Sequence, residues 1–80
     1  MRHYQFTAYF ETKVLQKRAY LRREWCIEVL ESPIRVERQA NGRMRFWGRP
    51  LALEGRVLRV VTLEDGLTIH NAFPDRRFKP

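Results

Sequence analysis

The amino-acid sequence predicts an α+β fold in which two amino-terminal helices pack on one face of a four-stranded antiparallel sheet. Three observations lead to this fold class. Apolar residues recur with helical spacing up to Pro33, they alternate with a period of two after it, and two turn dipeptides divide the second half into hairpins. The 80 residues contain no repeat and no linker, so we expect residues 1–80 to form a single domain.

Two helical patterns occupy the first half of the chain. Thr7 is placed to cap the first helix, whose apolar stripe consists of Phe10, Val14 and Leu15. The second helix begins near Arg22, and its apolar stripe consists of Trp25, Cys26, Val29 and Leu30. Pro33 ends this helix, because proline disfavours the helical conformation in the residue before it. Residues 4–6, ahead of both helices, are a candidate for an additional edge strand.

Four strands are predicted after the helices, over residues 34–39, 43–47, 56–63 and 67–73. The dipeptide Asn41-Gly42 joins the first two strands, and Asp65-Gly66 joins the last two. The third strand is apolar on both faces, which is typical of a central position in a sheet.

Charge decides the register of the first hairpin. A two-residue turn would put Arg38 directly opposite Arg45, and like charges in that position are destabilising. We therefore predict a three-residue loop at 40–42 with Gly42 in the left-handed conformation. This register pairs Arg35 with Trp47, Val36 with Phe46 and Glu37 with Arg45, and it turns Ile34, Val36, Met44 and Phe46 toward the helices.

In the second hairpin, a two-residue turn pairs Thr62 with Ile69 and Val61 with His70. The side facing the helices then receives Leu58, Val60, Ile69 and Phe73. On the other side, Arg59 and His70 become diagonal neighbours, at a separation that long side chains span.

The charge balance indicates a polyanionic partner. Sixteen Lys and Arg residues against nine Asp and Glu give a net charge of +7, and thirteen of the sixteen are arginine. Arginine binds phosphates, guanine edges and carboxylates through a planar fork of donors, so nucleic acid or an acidic protein is the expected partner. The alternative is that a GC-rich or thermophilic source raises the arginine content everywhere.

Several function classes are disfavoured by the composition. One cysteine and two histidines give neither an internal disulfide nor a spaced zinc-ligand set, and we expect no metal and no cofactor. No apolar run is long enough to span a membrane, and the first residues lack the features of a signal peptide, so we expect a cytoplasmic protein without membrane contact.

The sheet side away from the helices is the candidate site. The residues predicted there are Arg35, Arg43, Arg45, Trp47, Arg59 and His70. Such a surface binds single-stranded RNA, and RNA permits cleavage by its own 2′-OH if a base, a cation and an acid are supplied. We predict that His70, Arg59 and Arg45 are catalytic. The predicted RNA-binding residues are Arg35, Arg43, Trp47, Lys13, Lys17, Arg76 and Arg77.

Some of these residues also have a structural interpretation. A histidine in a hairpin strand is more often structural, and Trp47 is equally typical of a small hydrophobic cluster and of a stacking platform. Arg59 lies in the most apolar strand, where a charge needs a partner or a ligand.

Two stretches carry a family resemblance: Glu24-Trp25-Cys26-Ile27-Glu28-Val29-Leu30-Glu31-Ser32-Pro33, and Leu58-Arg59-Val60-Val61 followed by Thr68-Ile69-His70-Asn71-Ala72-Phe73. With the element order, they resemble small bacterial proteins related to the BrnT toxins, in the wider RelE-like group. BrnT-like chains usually carry a Lys-His pair near the end of the first helix, where this chain has Lys17 and no histidine.

This resemblance implies a RelE-like fold and a type II toxin that cleaves RNA without a metal. It also implies an antitoxin protein, which we expect to be acidic, encoded beside the toxin. The alternative from the residues alone is a non-catalytic basic module that binds nucleic acid or an acidic partner protein.

Overall fold

The computed structural model describes residues 3–80. The strands are β1 (Gln5–Phe6), β2 (Arg35–Arg38), β3 (Met44–Gly48), β4 (Leu58–Thr62) and β5 (Thr68–Pro74). A π-helical segment (Phe10–Val14) continues as α1 (Leu15–Lys17), α2 covers Arg23–Glu31, and a 3₁₀ turn covers Leu51–Leu53.

The sheet differs from the prediction in strand number and direction. It has five strands in the order β1-β5-β4-β3-β2, and β1 runs parallel to β5. The predicted four-stranded antiparallel sheet is therefore wrong. The candidate edge strand ahead of the helices is present as β1, and its backbone covers the outer edge of β5: Gln5 N–H donates to Leu67 O and Thr7 N–H to Ile69 O. Two residues are too few to show an alternating pattern.

The helical layer also contains less regular helix than the two packed helices that were predicted. The first pattern folds as a π-helical segment followed by three α-helical residues, and it ends at Arg18, whose backbone leaves the helical region. Thr7 caps it as predicted, because its hydroxyl accepts the N–H of Phe10 at 3.1 Å. α2 begins after the extended residue Arg22 and ends before Pro33.

The core lies between this layer and one face of the sheet. Its buried residues are Phe10, Val14, Leu21, Cys26, Val29, Leu30, Leu58, Val60, Ile69 and Ala72. α2 packs over β3 and β4. At the crossing Gly48 has no side chain, and a Cβ there would lie 3.2 Å from Val29.

The first hairpin confirms the predicted register. Val36 pairs with Phe46, Glu37 with Arg45 and Arg35 with Trp47. Gly42 has a φ of 89°, the left-handed conformation that the three-residue loop requires. In this register Arg38 lies opposite Met44, and the like-charge pairing with Arg45 is avoided.

The second hairpin keeps the predicted register only next to its turn. Thr62 pairs with Ile69, but a bulge follows, and Val61 pairs with Asn71 instead of His70. His70 is the extra residue of the bulge. The bulge puts Ala72 into the core and turns Phe73 to the other face, so the prediction that Phe73 is a core residue is wrong.

Candidate functional site

The sheet face opposite the helices carries two cross-strand rows. The first row is Arg35, Trp47, Arg59 and Phe73, and the second is Glu37, Arg45, Val61 and Asn71. These eight residues are called the open face below. Two of the three residues predicted to be catalytic, Arg45 and Arg59, thus lie in adjacent rows of one surface.

Arg59 lies between two aromatic rings. Its guanidinium carbon is 5.5 Å from the ring centroid of Trp47 and 5.2 Å from that of Phe73. Both separations are within the range of cation–π attraction. The rings also exclude water from the side chain, and this burial is the main reason that the pKa of Arg59 is lowered from its usual value.

Arg45 is the second cause of that lowered pKa. It lies diagonally across from Arg59, because Arg59 pairs with Trp47, two residues further along β3. The carboxylates of Asp75 and Glu37 act in the opposite direction, but among residues 3–80 no carboxylate lies within ion-pairing distance of either arginine. Two like charges are therefore held close together without a neutralising contact.

The two arginines share a second unusual property. The Nε atoms of Arg45 and Arg59 are buried, and neither has a hydrogen-bond partner in the described part of the chain. A buried donor without an acceptor costs about 1–3 kcal/mol, and more when the group is charged. An anion bound between the two guanidinium groups would neutralise the charge and accept hydrogen bonds from their terminal nitrogens, although it would not reach the buried Nε atoms.

The carboxyl-terminal tail folds onto Trp47. The indole Nε1 donates a hydrogen bond to Asp75 Oδ2 at 2.8 Å, and the Phe78 ring packs against the indole with centroids 5.7 Å apart. Arg35 lies over Phe78 at 5.0 Å. Trp47 is only 5% exposed, so it belongs to a small hydrophobic cluster and does not offer a free stacking surface.

His70 is fixed by the segment that follows β1. Its Nδ1 lies 3.0 Å from the hydroxyl oxygen of Thr7, and its ring stacks on Tyr9 with centroids 4.8 Å apart. Burial, and then the charge of Arg43, lower the pKa of His70 from its usual value, which favours the neutral imidazole. Because Nδ1 faces Thr7, Nε2 is the nitrogen available to a ligand.

Arg59 and His70 are not the diagonal neighbours that the sequence predicted. Phe73 lies opposite Arg59, and His70 precedes Phe73 by three residues, about 10 Å along β5. The bulge causes this error, because it adds one residue between the two positions. The charge that acts on His70 is that of Arg43.

The remaining predicted RNA-binding residues are spread over the surface. Lys13 and Lys17 are exposed on the helical layer, whose Phe10 enters the core on the other side of the sheet. Arg76 and Arg77 are exposed in the tail beyond β5. The structure therefore gathers only part of the predicted set on the open face.

A shallow cavity lies beside the tail. Its volume is about 250 Å³, and it is lined by Arg56, Val57, Pro74, Asp75, Arg76 and Phe78. Arg56 and Arg76 make this end of the sheet basic, next to the ring of Phe78.

Sequence reasoning missed several residues of this region. The sequence predicts Phe73 in the core and gives no role to Asp75 or Phe78. Their contacts depend on a bulge and on a tail that folds back, and neither has a signature in residue spacing. Thr7 was recognised as a cap, but its contact with His70 joins positions 63 residues apart.

No group of three metal-ligating side chains is formed within residues 3–80. Cys26 is buried in the core, and this burial raises the pKa of its thiol to about 12, which makes it a poor nucleophile. Over the same residues, no helix is long and apolar enough to span a membrane.

Comparison of the chain with protein-family models, with curated proteins and with solved structures finds no match.

Proposed function

We propose that the open face binds the phosphodiester backbone of single-stranded RNA, and that the protein is a type II toxin that cleaves this RNA without a metal. The observation that carries the proposal is the Arg45–Arg59 pair, whose buried Nε donors lack acceptors in residues 3–80. A phosphate offers several acceptor oxygens and a negative charge, which is what the pair needs. The net charge of +7 supports a polyanion over a small neutral ligand.

The bulge changes the expected division of roles. Arg45 and Arg59 stabilise the charge that develops on the pentacovalent phosphate. Neutral His70 takes the proton of the 2′-OH through Nε2, while Thr7 holds its Nδ1. The second row of the open face runs from Arg45 to Asn71, the neighbour of His70, over two strand spacings of about 10 Å in total. Both groups act on one phosphodiester only if the side chains of Arg45 and Arg59 reach across this separation to the phosphate beside His70.

The chemistry requires RNA specifically. The 2′-oxygen gives its proton to His70 and forms the new bond to phosphorus as the bond to the 5′-oxygen breaks. The 5′-oxygen takes a proton from water, which leaves a cyclic phosphate and a 5′-hydroxyl, and His70 returns its proton to the solvent. DNA lacks the 2′-OH and is bound without being cut.

A second function is favoured by the state of His70. Its hydrogen bond to Thr7 and its stacking on Tyr9 are also what a structural histidine would show. In that case the open face is a non-catalytic module, and Arg45 and Arg59 bind either nucleic acid or the carboxylates of an acidic partner protein.

Cleavage of an end-labelled RNA in EDTA separates the two functions. The toxin proposal expects fragments with cyclic phosphate ends, and none from the same oligonucleotide with 2′-deoxyribose throughout. Arg59→Gln should abolish the fragments, while Arg22→Gln, which removes an exposed charge ahead of α2, should not. If the RNA binds but stays intact, the non-catalytic function replaces the toxin proposal. If neither RNA nor DNA binds, the nucleic-acid proposal fails altogether.

A further inference from the structure

The second edge strand of the sheet, β2, has an uncovered outer edge. All four of its residues are exposed, and it ends the sheet opposite β1. Ile34, just ahead of the strand, and Val36 face the helical layer, yet each is 44% exposed, because α2 packs over β3 and β4. The predicted direction of both side chains, toward the helices, is therefore confirmed, but neither side chain is buried.

The backbone of β2 also has unused hydrogen-bonding groups. Gln39 N–H donates to Arg43 O at 2.7 Å, which marks these residues as a hydrogen-bonded pair at the end of the ladder. Bonding alternates along an antiparallel ladder, so Val36 and Arg38 direct their N–H and C=O groups to the free edge. Within residues 3–80 no strand pairs with this edge.

We infer that β2 pairs antiparallel with β2 of a second copy of this chain, which joins the two sheets into one. The symmetry of such a dimer limits the register. A twofold axis perpendicular to the sheet pairs residues that lie on the same face, so it passes through a residue and not between two. At the middle of β2 that residue is either Val36 or Glu37.

Charge selects between the two registers. An axis at Glu37 puts two glutamates directly opposite each other, which is destabilising. An axis at Val36 puts Arg35 opposite the partner's Glu37 twice and joins the two Val36 side chains. In the same register Ile34 lies opposite Arg38 of the partner subunit, whose aliphatic stem covers it. Charges on an edge strand normally prevent pairing, whereas these are complementary to themselves.

The net charge of +7 on each chain opposes association. This repulsion acts at long range and is screened beyond about 8 Å at an ionic strength of about 0.15 M. Arg35 and the partner's Glu37 lie in direct contact, where screening is weaker. The dimer should therefore be weak and favoured by moderate salt. This inference does not depend on the proposed function.

Sedimentation equilibrium from low micromolar to millimolar protein tests the inference through charge reversal. Glu37→Arg and Arg35→Glu each put like charges opposite each other and should weaken dimerisation by about tenfold or more. The double variant restores opposite charges and should recover the dimer. Glu24→Arg is the matched control for Glu37→Arg, because it changes the net charge equally on the exposed face of α2. Melting temperatures show that each variant is folded.

A second measurement uses the unmodified protein. Exchange of the Val36 amide hydrogen should be fast in dilute solution and should slow as the protein concentration rises. In the dimer this amide donates a hydrogen bond to the carbonyl oxygen of Val36 in the second copy. A chain that stays monomeric at every concentration overturns the inference. So does a dimer that Glu37→Arg leaves intact, or a Val36 amide whose exchange does not depend on concentration.

Discussion

The Arg45–Arg59 pair and the bulge at His70 lie on the same sheet but differ in how well their polar groups are satisfied. Each arginine has a buried Nε without an acceptor in the described residues, whereas His70 has a hydrogen bond from one nitrogen and a stacking ring. Unsatisfied buried donors are costly to the folded state, and satisfied ones are not. The difference is the reason that the proposed phosphate site is placed at the arginine pair and not at His70.

The largest effect is expected from Arg59→Gln. The change removes the charge between the two rings and should lower RNA cleavage by about 10²–10³-fold, the usual cost of losing one charge-stabilising group. The melting temperature should change little, because the lost attraction to the two rings is offset by relief of the repulsion from Arg45 and of the unsatisfied donor. Single-turnover cleavage and thermal unfolding of the same sample check both expectations. A lowered melting temperature with a proportionate loss of activity would mean that Arg59 is structural.

Thr7→Val tests the surroundings of His70 separately from the arginine pair. The variant loses the cap of the first helical segment and the hydrogen-bond partner of His70, and it should lose about 1–2 kcal/mol of unfolding free energy. Its affinity for uncleavable RNA should be nearly unchanged, because the arginine pair is untouched. Urea unfolding and fluorescence anisotropy give the two values. Equal losses of stability and affinity would show that the two regions are not separate.

The pH dependence of stability follows from the lowered pKa of His70. The unfolded chain binds a proton more readily than the folded chain, so stability is complete above about pH 6.5 and declines as the pH falls below it. His70→Asn should remove that decline. Urea unfolding of both proteins between about pH 5 and 8 measures the difference. Parallel curves would exclude a perturbed His70.

The smallest effect is expected from Phe78→Ala. The ring covers Trp47, and its removal should expose the indole and shift its fluorescence to longer wavelength with a loss of about 1 kcal/mol. A Trp25→Phe background isolates the signal of Trp47. An unchanged spectrum would mean that the tail does not cover Trp47 in solution.

The register of the first hairpin can be predicted from the charges of its side chains, whereas the register of the second cannot, because of the bulge at His70. The repulsion between Arg38 and Arg45 excludes one turn, so the register follows from the sequence. The bulge at His70 has no such signal, because both registers leave an acceptable apolar pattern. Its consequences include the wrong faces for Phe73 and the missing contact between Arg59 and His70.

The sheet was mispredicted for a related reason. Strand β1 is too short to show a period, and its direction is set by pairing with β5, which lies more than 60 residues later. The arginine pair could be expected from the sequence, since a charged residue in the apolar strand β4 needs a partner. Only the folded chain shows that the Nε atoms of both arginines lack a hydrogen-bond partner among the described residues.

The most direct test of the central claim is an NMR titration of the arginine Nε–H resonances with a 2′-deoxy oligonucleotide, which binds without being cut. Spectra of Arg45→Gln and Arg59→Gln assign the two resonances. We predict that both shift in a saturable way, because a phosphate bound at the terminal guanidinium nitrogens changes the charge next to each Nε–H. Saturable binding that leaves both resonances unmoved would contradict the claim that this pair is the phosphate site.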